Sequence, residues 1–309
     1  MKDIEREKII QLFNYNIALE HSAIIQYLFH AYTIKEAETE NQLEEIAREE
    51  MRHLRMFAHK VVEYGGEPAI TDRAAVFLRA PTIEELIQFD IDAELMAIKE
   101  YSLQLKDISD ESAKRILQRV IDDETAHSEI FKKMKENAKL LQKESSSQID
   151  ENRAKIVEIL NNLLQKQYQK ILEELFQSFI LRHKNPYLSD EIEQKAIDKM
   201  KHFGWIAEEI SESGFEPDVS LPTSINKYQN EKDIVISNKE ADEKSSKEFY
   251  EVANNINEPD LKWILERISK REIHYTDLER FLNNKEITAK EVKAIISALT
   301  VGNLYNKRS

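Results

Sequence analysis

The sequence predicts an all-α protein: two tandem four-helix bundles followed by a short C-terminal helix. Three observations carry this. Long stretches repeat apolar residues at alternating steps of three and four, the period of an amphipathic helix. The 309 residues include only five Gly and six Pro and are rich in Glu, Lys, Ile, Leu and Ala, which favours helices and leaves sheets few turns. The second half also echoes the first. Met51-Arg52-His53 and Tyr64-Gly65-Gly66-Glu67-Pro68 recur as Met200-Lys201-His202 and Ser213-Gly214-Phe215-Glu216-Pro217, an offset of 149 (200 − 51). Lys99-Glu100-Tyr101 recurs as Lys247-Glu248-Phe249, and Lys114 to Arg119 as Lys262 to Arg267, both offset by 148 (247 − 99, 262 − 114).

The first helix is expected over about Ile4 to Ala37, with the stripe Phe13, Ile17, Glu20, Ile24, Tyr27, Ala31. After a turn near Lys35 to Thr39, the second runs from about Glu40 to Tyr64 with Leu43, Ile46, Glu50, His53, Phe57 on one face. Gly65-Gly66 stops it. Gly65 to Pro81 is too long for a tight turn. Extended, it reaches roughly 55 Å at ~3.3 Å per residue, against roughly 40–45 Å for a helix of this size. It can therefore cross from one end of a bundle to the other. Thr82-Ile83-Glu84-Glu85 is a capping box for the third helix, whose stripe is Ile83, Ile87, Asp90, Glu94, Ala97, Tyr101. The fourth starts near Asp110 and carries Leu117, Val120, Glu124, His127, Phe131, Met134.

The Ser-rich run Lys143 to Gln148 divides residues 1–144 from 150–309. In the second domain, helices are expected near Asn152–His183, Ser189–Ser213, Asn238–Asn255 and Pro259–Asn283. A last helix spans Thr288 to Thr300, with Thr288 and Glu291 as its capping box.

Cysteine is absent, which excludes disulfides, thiolate metal sites, cysteine nucleophiles and a Cys₄ iron centre within this chain. The net charge of −14 weighs against nucleic acid and anionic membranes as partners. With no long apolar run and no signal-peptide core at Met1 to Arg6, a cytoplasmic location is expected.

The chemistry concentrates in two Glu-x-x-His pairs, Glu50/His53 and Glu124/His127. Residues three apart on a helix share a face, so each pair offers a carboxylate and an imidazole to one point. Glu20 and Glu94 each lie thirty residues before a pair's Glu (50 − 20, 124 − 94), so a helical hairpin brings them level with it. Most Glu and His on helices are solvated. These six interrupt apolar stripes at matched heights, and unpaired buried carboxylates cost several kcal/mol each. Two divalent cations balance four carboxylates. Oxygen donors with two imidazoles suit iron or manganese, with zinc as a further candidate. A metal-free polar core is the rival. Glu49 and Asp123, each preceding a ligand Glu, are placed to accept the spare N–H of a His on a neighbouring helix. Tyr27, on the Glu20 stripe, is either core filling or a redox or hydrogen-bonding partner of the site.

The repeat tests the pattern. At offsets of 147 to 149, Glu20 maps to Gln167, Glu50 to Lys199, His53 to His202, Glu94 to Asp242, Glu124 to Glu272 and His127 to Tyr275. The second bundle has lost the set, and Lys199 beside Asp242 or Glu272 is expected to replace the metal. A weak single-metal site of His202, Asp242, Glu272 or His274 is the alternative.

Residues Leu19 to Ala31 and Glu49 to His53 resemble bacterioferritin and, more loosely, rubrerythrin, over roughly residues 5–140. The resemblance implies a ferritin-like fold and a di-iron centre (Fe/Fe, with Mn/Fe or Mn/Mn as variants) that oxidises Fe(II) with O₂ or H₂O₂. Glu50 and Glu124 would bridge; Glu20 and Glu94 would be terminal. Two features depart from the family. An intact bundle is fused to a degenerate one, so a monomer or small homo-oligomer is expected rather than a storage shell. The Cys₄ domain of rubrerythrins is missing, so an external electron donor is needed. Met51 matches the methionine that holds haem between bacterioferritin subunits, and Met200 is its duplicate. Methionine at such positions is more often core, which weighs against haem. The rival functions are a di-metal oxygenase acting on an organic substrate and a non-enzymatic iron-binding or interaction protein.

Overall fold

A computed structural model describes residues 3–138, 151–273 and 278–283. All regular structure in these residues is helical. It comprises α1 (Asp3–Ile34), α2 (Ala37–Glu63), α3 (Ile83–Asp107), α4 (Glu111–Ala138), α5 (Glu151–Leu181), α6 (Pro186–Glu212), α7 (Glu231–Asn254), α8 (Pro259–Glu272) and the single turn α9 (Glu279–Asn283). Helices α1–α4 form one four-helix bundle and α5–α8 a second. No helix of the described residues is long and apolar enough to cross a membrane.

Local chemistry sets the ends. Lys35 takes a left-handed φ of 56° and reverses the chain between α1 and α2, so α1 stops at Ile34 rather than Ala37. Glu36 caps α2 by accepting from the backbone N–H groups of Glu38 and Thr39. Thr82 and Glu85 form the expected capping box of α3, and Asp110 Oδ1 accepts from the N–H groups of Ser112 and Ala113 to start α4. Two expectations in the second half are corrected. Asn230 caps α7, which therefore begins at Glu231 rather than near Asn238. The helix expected over Pro259–Asn283 is broken, because α8 ends at Glu272. The linker 143–148, His274, Tyr275 and the Thr288–Thr300 helix lie outside the described residues.

Each long connection runs lengthwise along the first helix of its bundle. Asn14 Oδ1 accepts from the Ala69 N–H, and Gln26 Oε1 from the Phe77 N–H. Asn161 accepts from Asp218 and Glu173 from Asn226 in the same way. The acceptors are offset by 147 (161 − 14, 173 − 26) and the donors by 149 (218 − 69, 226 − 77), so the duplication extends to individual hydrogen bonds.

The first bundle's core is split by a polar layer. Ile9, Phe13, Ile17, Phe57, Val61 and Leu117 pack on one side, joined to the core of the second bundle. Tyr27, Ala31, Leu43, Ile87, Phe131 and Met134 pack on the other.

Candidate metal centre

The polar layer is the constellation picked out in the sequence. Glu20 comes from α1, Glu50 and His53 from α2, Glu94 from α3, and Glu124 and His127 from α4; none is more than 2% exposed. They form two overlapping donor sets, Glu20/Glu50/His53/Glu124 and Glu50/Glu94/Glu124/His127, with the ligating atoms of each within 4.8 Å of one another. Glu50 and Glu124 belong to both.

His53 Nδ1 lies 2.9 Å from Glu50 Oε2, 3.3 Å from Glu124 Oε1 and 3.8 Å from Glu20 Oε2. His127 Nδ1 lies 2.9 Å from Glu50 Oε1, 3.2 Å from Glu124 Oε2 and 3.9 Å from Glu94 Oε2. The opposite ring nitrogens are held crosswise. His127 Nε2 is 2.8 Å from Glu49 Oε2, and His53 Nε2 is 3.2 Å from Asp123 Oδ2. Each acid sits one residue before a ligand Glu, so it reaches the neighbouring helix's histidine. An acceptor at Nε2 keeps its proton there and leaves Nδ1 free to face the donor set.

Two tyrosines close the layer. Tyr27 donates to Glu94 Oε1 at 2.6 Å, and Tyr101 donates to Glu20 Oε1 at 2.5 Å. Sequence reasoning did not single out Tyr101. The signal was a second offset, 74, relating α1–α2 to α3–α4: Glu20/Glu94, Tyr27/Tyr101, Glu49/Asp123, Glu50/Glu124 and His53/His127. The flanking contacts obey it too. Asn16 pairs with Gln104, and Asp90 pairs with His30 (90 − 16, 104 − 30).

Without a cation the layer is electrostatically awkward. Burial, and then the charges of Glu124 and Glu50, push Glu94 well above the usual carboxylate range. Burial alone would lower both histidines. Instead Glu124, Glu20 and Glu50 hold His53 far above its ordinary value, and Glu124 and Glu50 take His127 up to about 11. Burial, with Glu94 for Tyr27 and Glu20 for Tyr101, raises both phenols, so both keep their protons at neutral pH. Glu50 Oε1 accepts no hydrogen bond: His127 Nδ1 is near it but poorly aligned. No Lys or Arg among the described residues pairs with any of the four carboxylates. An orphaned buried oxygen, four acids and two imidazole nitrogens facing one point fit a pair of divalent cations.

The second bundle fills the corresponding place with its own cations. Lys199 Nζ lies 3.1 Å from Asp242, 3.3 Å from Glu174 and 3.3 Å from Glu272. Lys195 Nζ reaches Asp242 at 2.5 Å, and His202 Nδ1 lies 2.9 Å from Glu272. Lys195 and Glu174 were missed because they replace Ile46 and Tyr27, residues outside the six-ligand set.

A chamber of about 310 Å³ opens beside the first bundle's carboxylate layer, between α1 and α3. Glu20, Glu50, Glu94 and Glu124 line its inner end; Ala75 and Phe77 of the crossover form its roof.

This chain belongs to the ferritin-like family, whose model matches residues 13–189, 177 of its 309 residues (189 − 13 + 1). The bacterioferritin of Desulfovibrio desulfuricans is 30% identical over 132 residues, spanning 41% of this chain and 73% of that protein. The X-ray structure of Desulfovibrio desulfuricans bacterioferritin, whose diiron site was reduced and allowed to reoxidise, aligns with a TM-score of 0.43 at 28% identity. The alignment covers 46% of this chain and 85% of that one.

Proposed function

We propose that residues 1–144 hold two iron ions and run ferroxidase-type or peroxidase-type chemistry, with residues 150–309 as a metal-free structural partner. The observation that carries this reading is the sharing of Glu50 and Glu124 between two complete donor sets. Glu20, Glu50, His53 and Glu124 would hold one ion, and Glu94, Glu50, His127 and Glu124 the other. Bound as Fe(II), the pair supplies one electron each, enough to reduce H₂O₂ with two protons to two waters. The chain's own groups prepare for that. Glu50 and Glu124 face both positions and share any change in charge. Asp123 and Glu49 fix the imidazoles. Tyr27 holds a proton 2.6 Å from Glu94. The electrons that restore the reduced state come from an external donor, since the chain has no cysteine to hold an iron–sulfur centre.

Stopped-flow absorbance after mixing Fe(II)-loaded protein with O₂ or H₂O₂ tests this. A fast oxidation phase is expected, with about two metals per chain by elemental analysis and less than one in Glu50→Ala, which damages both donor sets. Absence of a fast phase with both oxidants would overturn the oxidase reading; unchanged stoichiometry in Glu50→Ala would overturn the site. A second reading, oxidation of an organic molecule at the same centre, is favoured by the chamber beside it.

A further inference from the structure

We infer that the chamber between α1 and α3 binds a neutral, apolar organic molecule, the size of two fused aromatic rings or a medium alkyl chain. Its relevance to catalysis rests on the second reading above; the binding itself rests on the chamber.

The walls are mostly apolar: Leu19 and Ala23 from α1, Phe89, Met96 and Ala97 from α3, and Phe77 overhead. Small residues make the room. Ala23, Ala93 and Ala97 stand where larger side chains would fill the space between the two helices. The roof is fixed in place, since the Phe77 N–H is held by Gln26 Oε1 at 2.8 Å and its carbonyl oxygen lies 2.9 Å from His30 Nε2. Phe77 also meets the Phe89 ring at 5.2 Å to frame the opening. An exposed phenylalanine pinned at both ends of its peptide presents a rigid aromatic edge to whatever enters.

Outside the carboxylate layer, the polar groups of the wall decide the ligand's character, because Ser22, Gln26, Tyr27 and Tyr101 are already engaged. Ser22 donates to the Ala18 and Leu19 carbonyls within α1. Gln26 uses its NH₂ on Asp90 and its oxygen on Phe77. Tyr27 and Tyr101 donate to Glu94 and Glu20. A polar ligand would lose its water and find few partners before the carboxylate layer, which is costly; an apolar one loses nothing. Before it reached the carboxylate layer, an Fe(II) ion crossing the same space would meet Asp92 as the one charged oxygen donor of the lining. The volume is about twice the ~150 Å³ of an apolar cavity known to take benzene. It also reaches the lower end of the range for small-molecule pockets, about 300 Å³.

The test is titration of the full chain, metal-free and Zn(II)-loaded, with naphthalene, followed by its fluorescence and by calorimetry. Saturable one-to-one binding is expected. Ala23→Leu and Ala97→Leu, each adding three carbons to the chamber, should weaken it at least tenfold, about 1.4 kcal/mol, with unchanged Zn(II) stoichiometry and helical circular dichroism. Ala93→Leu serves if either variant folds poorly. No saturable binding by the wild type, or equal affinity in the occluded variants, would overturn the inference. A protein that binds naphthalene but holds no metal would overturn the metal reading and leave this one standing.

Discussion

Lys199 and Glu50 occupy equivalent positions, 149 residues apart (199 − 50), and answer one physical problem in opposite ways. Each bundle buries several carboxylates in its centre, and buried charge is tolerated only when compensated. In the second bundle the compensation comes from the chain's own cationic side chains. Burial would raise Glu272, yet Lys199 and His202 hold it down at about 2. Removing the ammonium group while keeping a long apolar side chain should therefore leave Lys195, which lies 2.5 Å from Asp242 and 3.7 Å from Glu174, and His202, 2.9 Å from Glu272, to carry three buried acids. Lys199→Met is expected to lower the stability of the chain by about 3–5 kcal/mol in urea unfolding, while metal binding in the first bundle stays unchanged. Unaltered stability would mean the lysine is not the stand-in described here. Tyr101 makes a related point. It reads as a core aromatic in the sequence, and only its 2.5 Å bond to Glu20 assigns it to the polar layer.

At the scale of the element, the ends of α2 and α6 are built alike. Gly65 has φ +80°, with Gly65 N–H on Val62 and Gly66 N–H on Val61. Gly214 has φ +81°, with Gly214 N–H on Ser211 and Phe215 N–H on Ile210. Both are Schellman closures, which turn the chain into a crossover and satisfy the last carbonyls. A Cβ on Gly65 meets nothing within 4 Å, so the strain of a left-handed alanine is the whole effect. Gly65→Ala should cost about 1–2 kcal/mol, read from thermal or urea melts. A neutral result would show that the closure relaxes. The run of polar bonds from Asn14 to His30 then holds the crossover along α1 and sets the chamber roof. The sequence showed that the loop was long enough to cross the bundle, but not which side chains would pin it.

For the whole molecule, the two bundles meet as subunits of a two-fold dimer would. His21 lies 2.6 Å from Tyr168, its own duplicate (168 − 21 = 147). Glu67 pairs with Lys227, and its duplicate Glu216 pairs with Arg79. Residues that are copies of one another, or that contact each other's copies, mark a pseudo-two-fold axis. The Asp72 carbonyl accepts from His21 Nδ1, so Nε2 accepts the Tyr168 hydroxyl proton. Burial pushes this histidine down to about 4, so it stays neutral across ordinary pH. The same interface gathers acids. Glu208 rises to about 7 through burial and then the charges of Glu44, Glu40 and Glu212. Between the ordinary carboxylate value near 4.5 and about 7, the folded chain keeps a proton the unfolded chain has released. Stability from this group therefore falls as pH rises through that window and levels off above it. The thermal midpoint of Glu208→Gln minus that of the wild type should be near zero at pH 4.5 and grow to a few degrees by pH 8. A flat difference would show that the cluster is relaxed by solvent.

Periodicity and spacing alone indicated the helices of the first bundle, the duplication and the six positions on shared faces, because a helix's period determines which residues share a face. They missed the start of α7 at Glu231 and the end of α8 at Glu272. The missing residues of the site were visible only in part, since the 74-residue offset within α1–α4 relates Tyr27 to Tyr101. Three-dimensional packing decided the rest. Packing placed Lys195 and Glu174 in the second bundle's ion network, paired His21 with Tyr168, and left space between α1 and α3. Contacts between helices depend on how they are rotated and spaced against one another, and no residue's neighbours along the chain encode that by themselves.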